Sequence, residues 1–267
     1  MKLVITAGFD GSIPALAMCE LLTRSGHCID TVLVVTPFSL KRLKAMVRQR
    51  GIQGLKKVAG KLLPDNKFDV ELNIQAKFLL DNSIPFVSLK AWCKANEVSY
   101  LLVENLNSPE SIRCLEQSVP DAVIYAGGGI LKPRFIEASN QKIVNSHSGP
   151  LPAVRGMNAV EWSILLKHEP SITIHMIDQG IDTGEIISRK RLPIGKGETI
   201  EAIRDKAVIS GVIEVVRLFS GLTDLNNLKK ESNRGSIPGR QCYILAPALS
   251  ELLSKKLKGG LKGSLNV

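Results

Sequence analysis

The sequence predicts an α/β fold in which a mainly parallel sheet is flanked by helices. Short apolar runs of strand length recur through the chain, and stretches with helical spacing separate them. The first apolar run ends in a glycine-containing turn that leads into a helix, which is how doubly wound α/β units begin. Strands that alternate with helices pair in parallel through right-handed crossovers.

The first half of the chain contains four predicted strands. Lys2–Ala7 is the first, and the turn Gly8–Ser12 joins it to a helix over Ile13–Thr23, with Ser12 as the N-cap and Pro14 in the first turn. The remaining elements are a strand at Thr31–Thr36, a mostly helical basic segment at 39–63, a helix at Ile84–Asn96, and strands at Tyr100–Val103 and Ala122–Ala126.

The second half begins with a strand at Lys142–Asn145 and a loop of sequence GPLPAVRG. A helix at Asn158–Lys167, a strand at Ser171–Ile177, a hairpin-like neighbour at Glu185–Leu192 and a long helix at Glu198–Phe219 follow, the last with Thr199 as a possible N-cap. The tail contains one apolar block, Tyr243–Leu253. We therefore expect a domain over 1–222 and a short basic extension over 223–267.

Composition limits the class of protein. With 44% hydrophobic and 22% charged residues in 267, the chain is expected to be globular. It has neither a signal peptide pattern nor an apolar stretch of membrane-spanning length, so a cytoplasmic protein with no membrane partner is predicted. No C-x-x-C pair or other metal-ligand spacing is present, and no metal site is expected.

The net charge of +10 is concentrated in two segments. Residues 41–67 carry +8 and residues 226–267 carry +6. Local basic surface suits an anionic partner, although a solvated face is an equally good interpretation.

One constellation has the chemistry of acyl transfer to an amine. Asn145 and His147 lie two apart at the end of a strand, so their side chains share a face. Asp182 lies in a turn between Gly180 and Gly184. An amide can stabilise an oxyanion, an imidazole can move protons, and a carboxylate can orient the imidazole. Taken singly, such residues are more often turn formers or structural groups.

The combined motif is more specific. N-x-H, then G-P-L-P-x-x-R-G, then T-I-H-M-I-D-x-G-I-D-T-G resembles the catalytic domain of folate-dependent formyltransferases. That superfamily includes methionyl-tRNA, glycinamide ribonucleotide and sugar-nucleotide enzymes. The resemblance is strong over about 120–195 and weaker over 1–40. It implies a Rossmann-like formyltransferase fold with a short C-terminal extension, and it makes Asn145, His147 and Asp182 the expected catalytic residues.

The resemblance also implies 10-formyltetrahydrofolate as co-substrate. Its expected binding residues are Gly128, Gly129, Ile130, Leu131, Asp178, Gly180 and Ile181. A loose turn at the glycines is the alternative, and both can hold, because glycine permits close approach of a ligand. His175 could line the same pocket or be a packed strand residue.

The acceptor is expected to be a small anionic amine, such as a nucleotide-linked amino sugar, bound by Gly11, Ser12 and Arg155. In the ribonucleotide enzyme the turn corresponding to Gly8–Ser12 holds a phosphate, but Asp10 would repel one, so a turn without a ligand is the alternative. Only 42 residues follow Leu225, too few for the β-barrel domain of methionyl-tRNA formyltransferases, and nucleic acid is therefore the less favoured partner.

Other interpretations stay open. The same three residues could deliver the formyl group to water, as in a 10-formyltetrahydrofolate hydrolase, and the charge alone would suit a non-catalytic nucleic-acid-binding protein. The family more often has Pro-Ser or Ala-Ser where this chain has Ser148-Gly149, so Gly149 is expected to loosen the loop after His147.

Overall fold

The computed structural model describes residues 1–36, 74–233 and 239–258. The predicted helical segment at 39–63 and the whole basic segment 41–67 lie outside these ranges. Within them, none of the helices is both long and apolar enough to cross a membrane.

The predicted α/β fold with a mainly parallel sheet is confirmed. The seven strands of the main sheet are β1 (Lys2–Ala7), β2 (Cys28–Val35), β3 (Ser99–Val103), β4 (Ala122–Ala126), β5 (Ile143–His147), β7 (Ser171–Met176) and β8 (Ile186–Arg191). Their order is β3-β2-β1-β4-β5-β7-β8. The first five are parallel, whereas β7 and β8 form the predicted hairpin and join β5 in the antiparallel sense.

A second sheet in the described part of the chain was not predicted. It has two short strands, β6 (Val154–Gly156) and β9 (Arg240–Cys242), which pair in parallel. β6 lies in the loop GPLPAVRG that follows β5, and β9 belongs to the C-terminal extension. The extension therefore contacts the loop next to the motif residues directly.

Apolar packing on both faces explains why the strands are continuous apolar runs. Successive side chains of β1 point to opposite faces, so Leu3 and Ile5 join one core cluster and Val4 joins the other. All three are fully buried. A parallel sheet covered on both faces has this pattern.

Helices cover both faces of the sheet. They span Ile13–Arg24, Ile74–Asp81, Leu89–Ala95, Pro109–Ser118, Pro133–Ala138, Ala159–Leu165, Ile200–Phe219 and Pro247–Lys258, with a 3₁₀ turn at Leu225–Asn227. Thr199 caps the long helix as predicted, by accepting from the Ala202 N–H. The helix expected from Ile84 begins only at Leu89, because the Ser88 hydroxyl caps it by accepting from Ala91.

The strand order creates a crevice at the carboxyl ends of β1 and β4. The chain builds outward from β1 through β2 to β3 and then returns to place β4 on the other side of β1. Open α/β sheets bind ligands at such a reversal. A Cβ placed on Gly8, after β1, would lie 3.7 Å from the main-chain nitrogen of Gly128, after β4. The two glycine turns thus face each other at this crevice, one strand from β5.

Candidate active site

Strand β5 delivers the two motif residues to one cluster. Asn145 pairs with His175 of β7, and His147 pairs with Thr173. Asp182 comes from the turn after β7 and lies within 3.6 Å of both histidine rings. The structure therefore brings Asn145, His147 and Asp182 together, as the sequence predicts, and adds His175 to them.

His147 faces a hydrogen-bond acceptor on each side of its ring. Its Nε2 lies 2.9 Å from the carbonyl oxygen of Val154, which can only accept. Its Nδ1 lies 3.4 Å from Oδ2 of Asp182. The imidazole can donate to both partners only when each nitrogen carries a proton. The ring is 7% exposed, so few other partners are within reach.

His175 has the opposite role, because it is an acceptor. Its Nδ1 lies 2.7 Å from the carbonyl oxygen of Met176 and must carry the proton there. Its Nε2 then accepts from the amide Nδ2 of Asn145 at 3.0 Å. Burial lowers the pKa of His175 to about 4, which keeps the ring neutral. The Asn145 amide has two N–H groups, and His175 orients it by taking one of them.

The turn that carries Asp182 is held by main-chain contacts. Asp182 has φ 52, a left-handed conformation that a non-glycine residue adopts at a cost. Its Oδ2 accepts from the Gly156 N–H of β6 at 2.7 Å. The side-chain amide of Asn233 donates to the main-chain carbonyl oxygen of Asp182 at 2.9 Å. A Cβ on Gly184 would lie 2.0 Å from the Met176 carbonyl oxygen, so the turn closes tightly against β7.

Asp178, an expected folate-binding residue, stabilises the same turn from inside. Its Oδ1 accepts from the Gly180 N–H at 3.0 Å and from the Thr183 hydroxyl at 2.5 Å. One carboxylate oxygen of Asp178 is therefore engaged in shaping the turn, and its role in binding folate stays a prediction.

Four of the expected folate-binding residues lie in a braced loop after β4, namely Gly128, Gly129, Ile130 and Leu131. Gly127, Gly128 and Gly129 all have φ between 97° and 129°. A Cβ on Gly128 would lie 2.4 Å from Leu106 Cδ1, so only glycine fits there. The Tyr125 hydroxyl donates to the carbonyl of Gly129 at 2.8 Å and accepts from its N–H at 3.1 Å. Side-chain hydrogen bonds therefore order the loop, so it is not loose, and its role in binding folate stays a prediction.

The end of this loop is also fixed in place. The Asn107 amide donates to the Ile130 carbonyl at 2.8 Å and accepts from the Lys132 N–H at 2.7 Å. The Ile130 side chain is 74% exposed, and Leu131 beside it is partly buried. An exposed apolar side chain next to ordered main-chain groups suits a flat ring with a polar edge.

The turn Gly8–Ser12 is attached to a neighbouring helix through Asp10. The Asp10 carboxylate accepts from the Lys90 N–H at 2.9 Å, and its main-chain carbonyl accepts from Leu89. Burial, with the nearby Asp10 carboxylate, raises the pKa of Tyr100 to about 12. Asp10 therefore anchors the turn to the helix Leu89–Ala95, and its charge is partly compensated there.

The three expected acceptor-binding residues are Gly11, Ser12 and Arg155. None of the described hydrogen bonds joins Arg155 to the other two. Ser12 is 5% exposed and lies beside Gly11 at the start of the first helix. Arg155 lies in β6, and its Nη2 donates to the carbonyl of Gly239 at 2.8 Å. At least one guanidinium N–H of Arg155 thus holds the C-terminal segment.

Gly149 supports the position of His147, contrary to the expectation that it loosens the loop. A Cβ there would lie 2.8 Å from His147 Nε2 and 2.7 Å from the Ala159 Cβ. The hydroxyl of Thr173 donates to the Gly149 carbonyl at 2.7 Å. The glycine is needed because the imidazole packs directly against the following loop.

The site matches a known family. The model of the formyl transferase family matches residues 67–215, which include all three motif residues. The chain belongs to the formyl transferase family. Members of this family use 10-formyltetrahydrofolate.

Two curated relatives of this chain are named methionyl-tRNA formyltransferase. This chain is 24% identical over 181 residues to a methionyl-tRNA formyltransferase of Finegoldia magna, and the match covers 66% of this chain and 58% of that protein. It is 29% identical over 135 residues to one of Anaeromyxobacter dehalogenans, covering 49% and 43%. The chain thus spans about half the length of the curated relatives it matches.

Solved structures of the family share the fold. A sugar N-formyltransferase from a Shewanella species covers 96% of this chain and 87% of its own, with a TM-score of 0.58 and 13% identity. A phosphoribosylglycinamide formyltransferase from Bacillus halodurans covers 85% and 97%, with a TM-score of 0.55 and 18% identity. At these identities the likeness concerns the fold alone.

Proposed function

We propose that this chain transfers a formyl group from 10-formyltetrahydrofolate to the amine of a small anionic acceptor, such as a nucleotide-linked amino sugar. The observation that carries the proposal is the cluster at the end of β5. There Asn145 is oriented by His175, and His147 lies 3.4 Å from Asp182. An amide donor, a protonatable ring and a carboxylate within one cluster are the groups that formyl transfer to nitrogen requires.

The residues around the crevice fit the folate donor. Gly128, Gly129, Ile130 and Leu131 would offer main-chain hydrogen bonds and an apolar wall to the pterin, and Asp178, Gly180 and Ile181 would do so from the facing turn. When bound, the donor supplies an activated formyl carbon to the acceptor amine.

The chemistry of the chain's own residues follows from their partners. The second N–H of Asn145 would donate to the formyl oxygen as negative charge develops on it. The His147 ring would stabilise the same charge and take part in proton movement, while Asp182 holds it. One C–N bond forms, one breaks, and one proton passes from the acceptor amine to the leaving nitrogen. The 3.4 Å contact is long for such a bond, and contacts of this kind tighten on substrate binding.

Acceptor recognition is proposed for the turn at Gly11 and Ser12 and for Arg155. The turn precedes the helix Ile13–Arg24, whose first N–H groups favour an anion. Because the Asp10 carboxylate is engaged by the Lys90 N–H, its repulsion of an anion at this turn is reduced. Arg155 would contribute the guanidinium N–H groups that Gly239 leaves available.

A second candidate acceptor is methionyl-tRNA. It is favoured by the printed names of the curated relatives, of which this chain spans about half. The two candidates use the same three catalytic residues and differ only in what the acceptor amine is attached to.

The test separates donor binding from transfer. Wild type, Asn145→Ala and the control Asn226→Ala, an exposed residue of the extension, would be titrated calorimetrically with tetrahydrofolate. Each would then be assayed for formyl transfer to a nucleotide-linked amino sugar, glycinamide ribonucleotide and methionyl-tRNA. We expect Asn145→Ala to bind tetrahydrofolate within about threefold of wild type and to transfer about 100-fold more slowly, as loss of an oxyanion donor does.

Each outcome has a distinct meaning. Transfer to the amino sugar supports the leading proposal, and transfer to methionyl-tRNA alone replaces it with the second candidate. If wild type does not bind tetrahydrofolate, or if Asn145→Ala transfers as fast as Asn226→Ala, the proposed function is wrong.

A further inference from the structure

The Asp182 turn is held by a residue far along the chain. Asn233 lies outside the family-matched range 67–215 and carries no recognisable motif. Its amide Nδ2 lies 2.9 Å from the carbonyl oxygen of Asp182 and 2.9 Å from that of Gly184. One amide group therefore connects two carbonyls on either side of Thr183.

The main chain brings Asn233 to this position. Glu231 pairs with Ile186 at the beginning of β8, where each residue donates its N–H to the other's carbonyl, at 2.7 and 2.8 Å. This places the extension against the strand that leaves the Asp182 turn. Two residues later, the Asn233 side chain reaches the turn itself.

The turn needs such external support. Asp182 has φ 52, and a non-glycine residue keeps a left-handed conformation only when its surroundings determine it. The Asp178 carboxylate bonds Gly180 and Thr183, but the carbonyl oxygens of Asp182 and Gly184 are bonded by Asn233. Asn233 thus acts on the residue whose carboxylate faces His147.

We propose that Asn233 is a positioning residue that sets the Asp182 carboxylate at its distance from His147. The carboxylate is then fixed from two directions, since Gly156 of β6 donates to Oδ2 and β6 itself pairs with β9 of the same extension. The catalytic part of this inference rests on the proposed function, whereas the positioning of Asp182 does not.

The experiment observes the imidazoles directly. Nitrogen-15 NMR of the histidine rings would be recorded for the full chain as wild type, Asn233→Leu and Asn227→Ala. Leucine has the branched skeleton of asparagine, although it is larger, and it has no N–H donor. Asn227 is an exposed residue of the same extension. We expect the ring shifts of His147 and His175 to move in Asn233→Leu and to stay at wild-type values in Asn227→Ala.

A tetrahydrofolate titration of the same variants adds the second readout. Asn233→Leu should bind about tenfold more weakly, because two hydrogen bonds that order the proposed folate-binding turn are lost. Asn233→Gln, which restores the N–H donors on a longer side chain, should recover part of this loss. Circular dichroism would verify that each variant is folded.

The outcomes distinguish the two ideas. Unchanged histidine shifts in a folded Asn233→Leu overturn the positioning role, whatever the folate result. If Asn233→Leu does not fold, the smaller Asn233→Ala, which also lacks the N–H donor, decides by the same histidine shifts, and wild-type shifts in that folded variant would overturn the role. The histidine shifts can also move in Asn233→Leu while wild type fails to bind tetrahydrofolate. That result would support the positioning of Asp182 by Asn233 and would overturn the proposed function.

Discussion

At the scale of single residues, two main-chain carbonyls determine where the protons of the site lie. The carbonyls of Val154 and Met176 can only accept, so His147 carries a proton on Nε2 and His175 carries one on Nδ1. His175 is left with a lone pair directed at the Asn145 amide, whereas His147 faces the Asp182 carboxylate. Two histidines 6.2 Å apart therefore have different chemistry because their neighbours differ.

The neutral state of His175 predicts a pH effect on stability. Burial lowers its pKa to about 4 in the folded protein, below the ordinary value of about 6.5 in the unfolded chain. As the pH falls, the ring of His175 therefore binds a proton in the unfolded chain before it does so in the folded protein. The stability that this ring contributes is fully present above about pH 6.5 and is lost as pH falls toward 4, by roughly 3 kcal/mol at most.

Urea unfolding at a series of pH values between 7 and 4 would measure this effect. In His175→Gln the free energy of unfolding should fall less steeply over that range than in wild type, because glutamine does not titrate. His168→Gln, at an exposed histidine, should keep the wild-type slope. Equal slopes for wild type and His175→Gln would contradict the prediction.

At the scale of elements, one glycine sets the distance between the long helix and β5. Gly211 lies in the middle of the helix Ile200–Phe219, and a Cβ there would lie 2.2 Å from the hydroxyl oxygen of Ser146. Ser146 lies between Asn145 and His147 in β5. The helix can approach the strand that carries both motif residues only because position 211 has no side chain.

Gly211→Ala is therefore expected to destabilise the protein. In an exposed helix the same change would stabilise by about 1 kcal/mol, since glycine is a poor helix former. Here overpacking should reverse the sign and cost about 1–3 kcal/mol in the free energy of unfolding, measured by urea denaturation.

A double mutant tests the cause of that loss. Adding Ser146→Ala removes the oxygen nearest to the new methyl group, so Gly211→Ala should cost less in that background than in wild type. A stabilised Gly211→Ala, or a cost that is the same in both backgrounds, would show that this contact does not set the helix position.

The elements also show which features a sequence can predict. Apolar runs of five or six residues identified β1, β2 and β4 to within a few residues, because a buried strand needs a continuous apolar stretch. β6 and β9 have three residues each, too short to carry any periodicity, and their pairing joins positions about 85 residues apart.

The site too has features that a local sequence pattern predicts and features that depend on tertiary pairing. The spacing of Asn145 and His147 predicts that both lie on one face of β5. In the structure both lie beside His175, Asn145 through a 3.0 Å hydrogen bond and His147 with its ring centroid 6.2 Å away. Their catalytic roles stay predictions. The contributions of Gly156 and Asn233 depend on tertiary pairing, and no local pattern in the sequence indicates them. For His175 the sequence leaves two interpretations, a residue that lines the pocket and a residue packed in the core, because a strand histidine has the same sequence pattern in both cases.

At the scale of the whole molecule, the C-terminal extension is bound to the catalytic part at several places. Beyond Asn233, the Trp162 ring nitrogen donates to the Tyr243 carbonyl at 2.8 Å, and the Leu245 N–H donates to the Asn158 side chain at 3.0 Å. Leu253 and Leu257 of the last described helix belong to the core cluster that contains Leu3. These contacts favour one cooperative unit over the predicted division at residue 222.

Replacement of Leu253 by alanine tests that cooperativity. Leu253 is fully buried, while Leu252 beside it is 55% exposed, so the two leucines form a matched pair on one helix. Leu253→Ala should cost about 2–5 kcal/mol of unfolding free energy, and Leu252→Ala less than about 1 kcal/mol. If the extension is part of one unit, Leu253→Ala also lowers the midpoint of a single transition. That transition is followed by far-ultraviolet circular dichroism and by the fluorescence of the buried Trp92, in a Trp162→Phe background because Trp162 itself contacts the extension. A separate extension would instead melt first and leave the Trp92 transition where it is in wild type, and the division at residue 222 would then hold.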